Sequence, residues 1–202
     1  MSLKLLFLGT PDFSVPSLER ILGVFSDAHI DVISMPDKVR GRGKSVSASP
    51  VKRCALDHNK SVYTPHTKSD LTEQIHSISP DIIIVVAYGM IIEKSIVDHY
   101  FCINVHASLL PKYRGASPIQ SALLNGDDMT GITLIKLNEF MDSGDILTSA
   151  SLVISMADNH GILEGKLAHL GADLLIDFIS NYIRTGQLQL SKQQDSDATY
   201  CK

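Results

Sequence analysis

The chain has 202 residues, a formal net charge of -4 at pH 7 and 44% apolar residues, enough to bury one sizeable core and most simply one domain. No run of about 18 apolar residues exists, which argues against a membrane-spanning helix. The first dozen residues also lack a signal-peptide layout, because Lys4 is followed by only a short apolar run with no small-residue cleavage site before Asp12. Cys54, Cys102 and Cys201 are widely spaced and odd in number; they form no zinc pattern or disulfide framework and suit a reducing cytoplasm.

In chain order, Lys4 to Gly9 is a short apolar run ending in glycine, as expected of a buried parallel strand that enters a tight turn. Thr10-Pro11-Asp12 can start a helix, on which Leu18, Ile21, Leu22 and Phe25 recur at helical spacing. His29 to Ser34 reads as a second strand, stopped by Pro36. Ser49-Pro50 opens a helix with Val51, Cys54 and Ala55 as its stripe. Val62-Tyr63 is a brief strand, and Leu71, Ile75 and Ile78 mark a third helix. The Ile82-to-Val86 run is too continuously apolar for a half-exposed strand and should be central, with Tyr88-Gly89-Met90-Ile91 turning at its carboxyl end. Further on, Leu163, Leu167, Leu170, Leu174 and Phe178 form the stripe of a core-facing helix, with Asp158 as its cap candidate. Repeated strand-helix-strand units predict a Rossmann-like doubly wound, mostly parallel sheet with helices on both faces. Gly9-Thr10-Pro11-Asp12 is not a dinucleotide fingerprint, so such a sheet need not bind one.

The chemistry concentrates between Asn104 and Pro118. Asn104 and His106 end the apolar run Tyr100-Phe101-Cys102-Ile103, and side chains two apart on a strand share a face. An amide and an imidazole would then emerge together where ligands sit in open α/β sheets. Asn104 as a turn cap and His106 as surface filler is the plainer reading of the pair. Asp142 follows another strand-like stretch, Gly131 to Leu137, in a turn closed by Gly144. It is either a simple turn former or a carboxylate that reaches the imidazole, which would favour the protonated ring and fix its orientation. Together the three could supply oxyanion donors, a proton carrier and its orienter. None is a strong nucleophile, which points to direct transfer of an acyl-like group onto an amine.

Asn104-x-His106, Ser108-Leu109-Leu110-Pro111-x-Tyr113-Arg114-Gly115-Ala116 and Met141-Asp142-x-Gly144-Asp145 together resemble the folate-dependent formyltransferase family. The similarity extends in order along nearly the whole chain. It takes in Gly9-Thr10-Pro11-Asp12-Phe13, Gly41-Arg42-Gly43-Lys44, Val86-Ala87-Tyr88-Gly89 and Lys166-Leu167-Ala168, and the opening motif and basic loop resemble the branch that formylates methionyl-tRNA. The sequence departs from the pattern at Phe101, where glycine is common, and at Ser34-Met35 and Ser117.

This resemblance implies that 10-formyltetrahydrofolate donates its formyl group to the α-amine of methionine on initiator tRNA. Asn104 and protonated His106 would bind the oxyanion, with Asp142 orienting His106. Ser108, Leu109, Leu110 and Pro111 would wall the folate, joined by Ala87, Tyr88 and Gly89. Phe13 would border a methionine pocket, and Arg42 with Lys44 would engage tRNA. Lys38 to Lys44 carries four cations in seven residues and is too glycine-rich for helix or strand. Without the resemblance it reads as a solvated loop, and the negative net charge argues against a nucleic-acid partner. No metal is expected, because the histidines show no paired ligand spacing such as HxxxH.

Residues 1–189 are expected to form the catalytic domain, and 190–202 the start of a linker to a C-terminal β-barrel domain beyond this chain. A cytoplasmic monomer is expected. A sugar-nucleotide N-formyltransferase, a formyl-folate hydrolase domain, or a non-catalytic domain that binds folate or a partner are the competing readings.

Overall fold

The structure, a computed structural model, describes residues 2–40 and 45–202. The chain divides into two units, Met1–Cys102 and Ile103–Lys202.

In the first unit the apolar runs become strands at the expected places. β1 (Lys4–Gly9) is followed by a turn of 3-10 helix, Asp12–Ser14, then α1 (Val15–Val24) and β2 (His29–Ile33). A short antiparallel pair follows, β3 (Lys38–Arg40) with β4 (Ser45–Ser47). This corrects the expectation that Lys38 to Lys44 is too glycine-rich for any strand. The glycines are Gly41 and Gly43, so the flanks are free to pair, whereas Arg42 and Lys44 lie outside the described residues.

Next come α2 (Pro50–Asp57), β5 (Val62–Tyr63), α3 (Lys68–Ile78), β6 (Ile82–Val86) and α4 (Lys94–His99). Two of these helices are capped by the residues that precede them. The Ser49 side chain accepts from Lys52 N at the start of α2, and Thr67 with Asp70 forms a reciprocal capping box on α3. Both devices satisfy backbone donors that the first helical turn leaves orphaned.

The strands pair in the order β6-β1-β2-β5, all parallel. β1 to β2 to β5 therefore builds outward in one direction, and β6 returns to the other side of β1. Between β1 and β6 the winding reverses, which is the switch point where open α/β sheets form a crevice at their carboxyl ends. Two hydroxyls tie that end together: Thr10 Oγ1 donates to the Tyr88 carbonyl (2.6 Å) and Ser14 Oγ to the Val86 carbonyl (2.6 Å). Gly9 has no alternative there, because a Cβ on it would sit 2.7 Å from Phe7 and 2.9 Å from Ser14. Every residue of β6 is buried, in agreement with its uninterrupted Ile-Ile-Ile-Val-Val sequence.

In the second unit β7 (Phe101–His106), which begins just before the unit boundary, leads to β8 (Arg114–Gly115), α5 (Pro118–Leu124), β9 (Met129–Lys136), β10 (Ile146–Val153), α6 (His160–Thr185) and β11 (Tyr200–Cys201). β9 runs antiparallel to both β7 and β10, and β11 pairs in parallel with β8.

The long helix α6 differs from expectation in two respects. Asn159 caps it by accepting from Ile162 N (3.1 Å), while Asp158 instead pairs with Lys166 Nζ (2.7 Å). Its buried face is Leu163, Leu167, Ala168, Gly171, Ala172, Leu175, Ile176 and Ile179. Leu170, Leu174 and Phe178 lie at the edge of that face. Small residues let the helix approach the sheet closely: a Cβ on Gly171 would come within 3.0 Å of Val105 on β7. The stripe of large side chains is thus rotated by about one residue from the face that the helix buries.

Candidate active site

Asn104 and His106 lie on one face of β7, opposite Ile135 and Thr133 of β9. Both point at a single atom. Asn104 Nδ2 donates to Asp142 Oδ1 (3.3 Å), and His106 Nδ1 faces the same oxygen at 3.6 Å. The other carboxylate oxygen, Oδ2, accepts from the backbone N–H of Gly115 (2.8 Å). Three side chains expected to converge therefore do so, although they are separated by up to 38 residues.

The turn that presents Asp142 follows from its sequence. Asp142 has a positive φ of 47°, a left-handed conformation that aspartate tolerates better than most residues. At Gly144 the backbone passes so close to β9 that a Cβ would run into the carbonyl oxygen of Lys136. The Phe140 and Met141 side chains just before Asp142 are exposed.

His106 is only 6% exposed. Its Nε2 lies 2.8 Å from the Tyr113 carbonyl oxygen, and since a carbonyl only accepts, Nε2 is the nitrogen that carries hydrogen. This partner was not legible in the sequence reading. It means that the ring is gripped on one side by a backbone carbonyl, with the carboxylate beyond hydrogen-bond range on the other. Tyr113 is itself held through its hydroxyl, which donates to Asp127 (2.8 Å) and accepts from Asn125 (2.8 Å). Desolvation, together with the bond to the Asp127 carboxylate, raises the Tyr113 phenol above its usual range. Next to it, Arg114 is 3% exposed, and its guanidinium reaches Tyr200 and Asp195 near the end of the chain.

The loop after β7 is braced from below. Ser108 Oγ donates to the Lys112 carbonyl (2.5 Å), while Thr133 Oγ1 donates to the Ser108 carbonyl (2.7 Å) and accepts from Leu110 N (3.0 Å). These backbone groups are therefore already occupied within the protein. Leu109 and Pro111 instead line a cavity of about 440 Å³ with Tyr113, Asp127, Met129 and Thr130, and none of Asn104, His106 and Asp142 borders it.

The remaining expected site residues lie in the first unit. Ala87 and Gly89 are exposed, each at a positive φ (46° and 97°). Tyr88 between them is 2% exposed, and among the described residues its hydroxyl has no hydrogen-bond partner. Burial pushes that phenol up to about 12. Phe13, expected to border a methionine pocket, is 7% exposed. Among the described residues no group of three His, Cys, Asp or Glu side chains could hold a metal ion, and no helix is long and apolar enough to cross a membrane.

An α/β, Rossmann-like, mostly parallel architecture with an Asn-His-Asp cluster defines the class. The formyl transferase sequence profile matches residues 3–179, and the chain belongs to the formyl transferase family. It is 42% identical to the methionyl-tRNA formyltransferase of Caldanaerobacter subterraneus subsp. tengcongensis, over 98% of this chain and 65% of that protein. To the methionyl-tRNA formyltransferase of Kosmotoga olearia it is 44% identical, over 98% of this chain and 64% of that one. The chain thus spans just under two-thirds of the length of these curated relatives. Its fold also resembles that of an N-formyltransferase from Helicobacter canadensis, solved in complex with folinic acid and dTDP-3-aminofucose. The TM-score is 0.77 at 22% identity, covering 98% of this chain and 70% of that one.

Proposed function

We propose that this chain carries the catalytic part of an enzyme that moves the formyl group of 10-formyltetrahydrofolate onto the α-amine of methionine on initiator tRNA. The reading rests above all on the convergence of Asn104 and His106 on Asp142. It is supported by 42% and 44% identity to proteins named methionyl-tRNA formyltransferase. The amine attacks the formyl carbon, its C–N bond forms, and the carbonyl oxygen becomes an oxyanion. Asn104 has a second amide N–H to donate to that oxygen. His106 donates as well by exchanging the Tyr113 carbonyl for the oxyanion at Nε2. Collapse breaks the bond to the folate nitrogen, which takes the proton lost by the amine through a water steered by Asp142. The products are formyl-methionyl-tRNA and tetrahydrofolate.

In this reading Leu109, Pro111 and their neighbours Ser108 and Leu110 wall the folate, with Ala87, Tyr88 and Gly89 as further contacts. Phe13 borders the methionine side chain, and Arg42 with Lys44 contacts tRNA. The enzyme works as a cytoplasmic monomer with the folate as co-substrate and without a metal. The test is transfer of labelled formyl from 10-formyltetrahydrofolate to methionyl-tRNA, an amino-sugar nucleotide, or water in the absence of an acceptor. Label must appear in methionyl-tRNA at least tenfold faster than in the other two. Preferential labelling of the sugar nucleotide, or release of formate alone, overturns the proposed acceptor.

A further inference from the structure

The end of the chain reads as a polar linker, yet residues 191–201 are bonded to the loop that carries the site. Ser191 and Ile146 exchange backbone hydrogen bonds (2.8 and 2.9 Å). At the other end Thr199 receives Arg114 N on its carbonyl (2.8 Å) and Tyr113 N on Oγ1 (2.8 Å). Between these two anchors, Gln193 uses both functions of its amide. Its Nε2 donates to the carbonyls of Asp142 (2.9 Å) and Gly144 (2.8 Å), and its Oε1 accepts from Arg114 Nε (3.0 Å).

The two carbonyls held by Nε2 belong to Asp142, the residue in the left-handed conformation, and to Gly144, where the turn closes against β9. With Asp142 in the left-handed region, its peptide carbonyl lies outside the ladder formed by β9 and β10 and needs another donor. Gln193 supplies it, and supplies the Gly144 carbonyl from the same nitrogen. An amide is suited to this task because it can grip the turn with its N–H groups while its oxygen is held by a buried guanidinium. Arg114 also bonds Asp195 (2.8 Å) and Tyr200 (3.3 Å), so the guanidinium that holds the amide oxygen is tied to the same segment as Gln193.

We propose that Gln193 is a positioning residue that acts through Asp142: by gripping the carbonyls at 142 and 144 it holds the turn that aims the Asp142 carboxylate at Gly115 N–H, Asn104 and His106. The kinetic consequence rests on the function proposed above, whereas the geometric one does not. Two variants separate the roles of the amide. Gln193→Glu keeps an oxygen for Arg114 but sets its other carboxylate oxygen against the two carbonyls, and Gln193→Met fills the volume with no strong donor. Each should lower kcat for formyl transfer by about tenfold, with KM for both substrates within about twofold, as expected when a reacting group is slightly misplaced.

A second readout requires no acceptor. In 15N-labelled protein the Gly115 amide proton, bonded to Asp142 Oδ2 at 2.8 Å, should move upfield in both variants. Tyr200→Phe removes a contact of Arg114 without touching the Gln193 amide, and should leave kcat and that resonance unchanged. An unmoved Gly115 resonance in Gln193→Glu overturns the proposal. So does an equal loss of kcat in Tyr200→Phe, which would assign the effect to docking of the whole segment. Unfolding of both Gln193 variants overturns it too, because Gln193 is assigned to the turn alone. A wild-type chain that formylates no acceptor sinks the function reading, while the Gly115 resonance still decides the role of Gln193.

Discussion

The strands β6 and β7 show how differently the two units of this chain are built. β6 is Ile-Ile-Ile-Val-Val, wholly buried, and offers no polar side chain. β7 interleaves Cys102, Ile103 and Val105 in the core with Asn104 and His106 aimed at Asp142. The first unit is held by apolar contact on a parallel sheet. The second adds a web of polar bonds that join its site loop to residues as far as 88 positions away. Apolar burial is non-directional, so it stabilises without dictating angles. Hydrogen bonds are directional and weak in net terms, so they orient groups while adding little stability. Damage to the apolar cores should therefore appear chiefly as lost stability, and damage to the polar web around the site chiefly as lost rate.

The largest expected effect is on rate. Asn104→Ala and His106→Ala should each reduce kcat by roughly two to three powers of ten, the scale of an oxyanion donor. Any loss of stability should be no more than about 1–3 kcal/mol, the cost of leaving a buried partner unpaired, so both variants should still be folded in the assay. Steady-state kinetics beside calorimetry check this, and a variant that is cold in kinetics only because it is unfolded would break the contrast.

Next is Ile84→Ala in β6, where a fully buried side chain is cut back. About 2–5 kcal/mol of stability should be lost in urea denaturation, the usual cost of an aliphatic core truncation. The variant kept below its transition should retain kcat within about twofold.

A smaller loss should follow from Asn159→Ala, which removes the side chain that accepts from Ile162 N at the start of α6. About 1 kcal/mol is expected. Asp158→Ala leaves that cap in place and should cost less, which sharpens the assignment of the cap to Asn159.

The smallest effect concerns a thiol of the first unit. Burial, helped by the Glu19 and Asp57 carboxylates, pushes Cys54 up to about 11. The folded state thus prefers the neutral thiol. Its contribution to stability is complete below the ordinary thiol value and is lost as pH rises toward 11. At pH 8 iodoacetamide should label half-buried Cys201 well before buried Cys54, as peptide mass spectrometry would show. Equal labelling rates would mean that the first unit opens more readily than its core suggests.

What could be read directly from residues follows the same division. Runs such as Lys4 to Gly9 and Ile82 to Val86, and the cap at Ser49, carry their structure in local pattern, because burial and helix starts are set by neighbours in sequence. Two-residue spacing was likewise enough to place Asn104 and His106 on one face. The flanks of the basic loop and the true buried face of α6 were harder. The first depends on a partner strand, and the second on small residues whose value lies in what packs against them.

The sequence by itself therefore determined the α/β framework, the family and the identity of the three polar side chains. Only the tertiary structure decided that a backbone carbonyl holds His106, that a backbone amide holds Asp142, and that Gln193 closes the turn. Carbonyls and amides are common to every residue, so no pattern of side chains marks which of them will be used. A bond between residues 142 and 193 exists only after the intervening chain has folded.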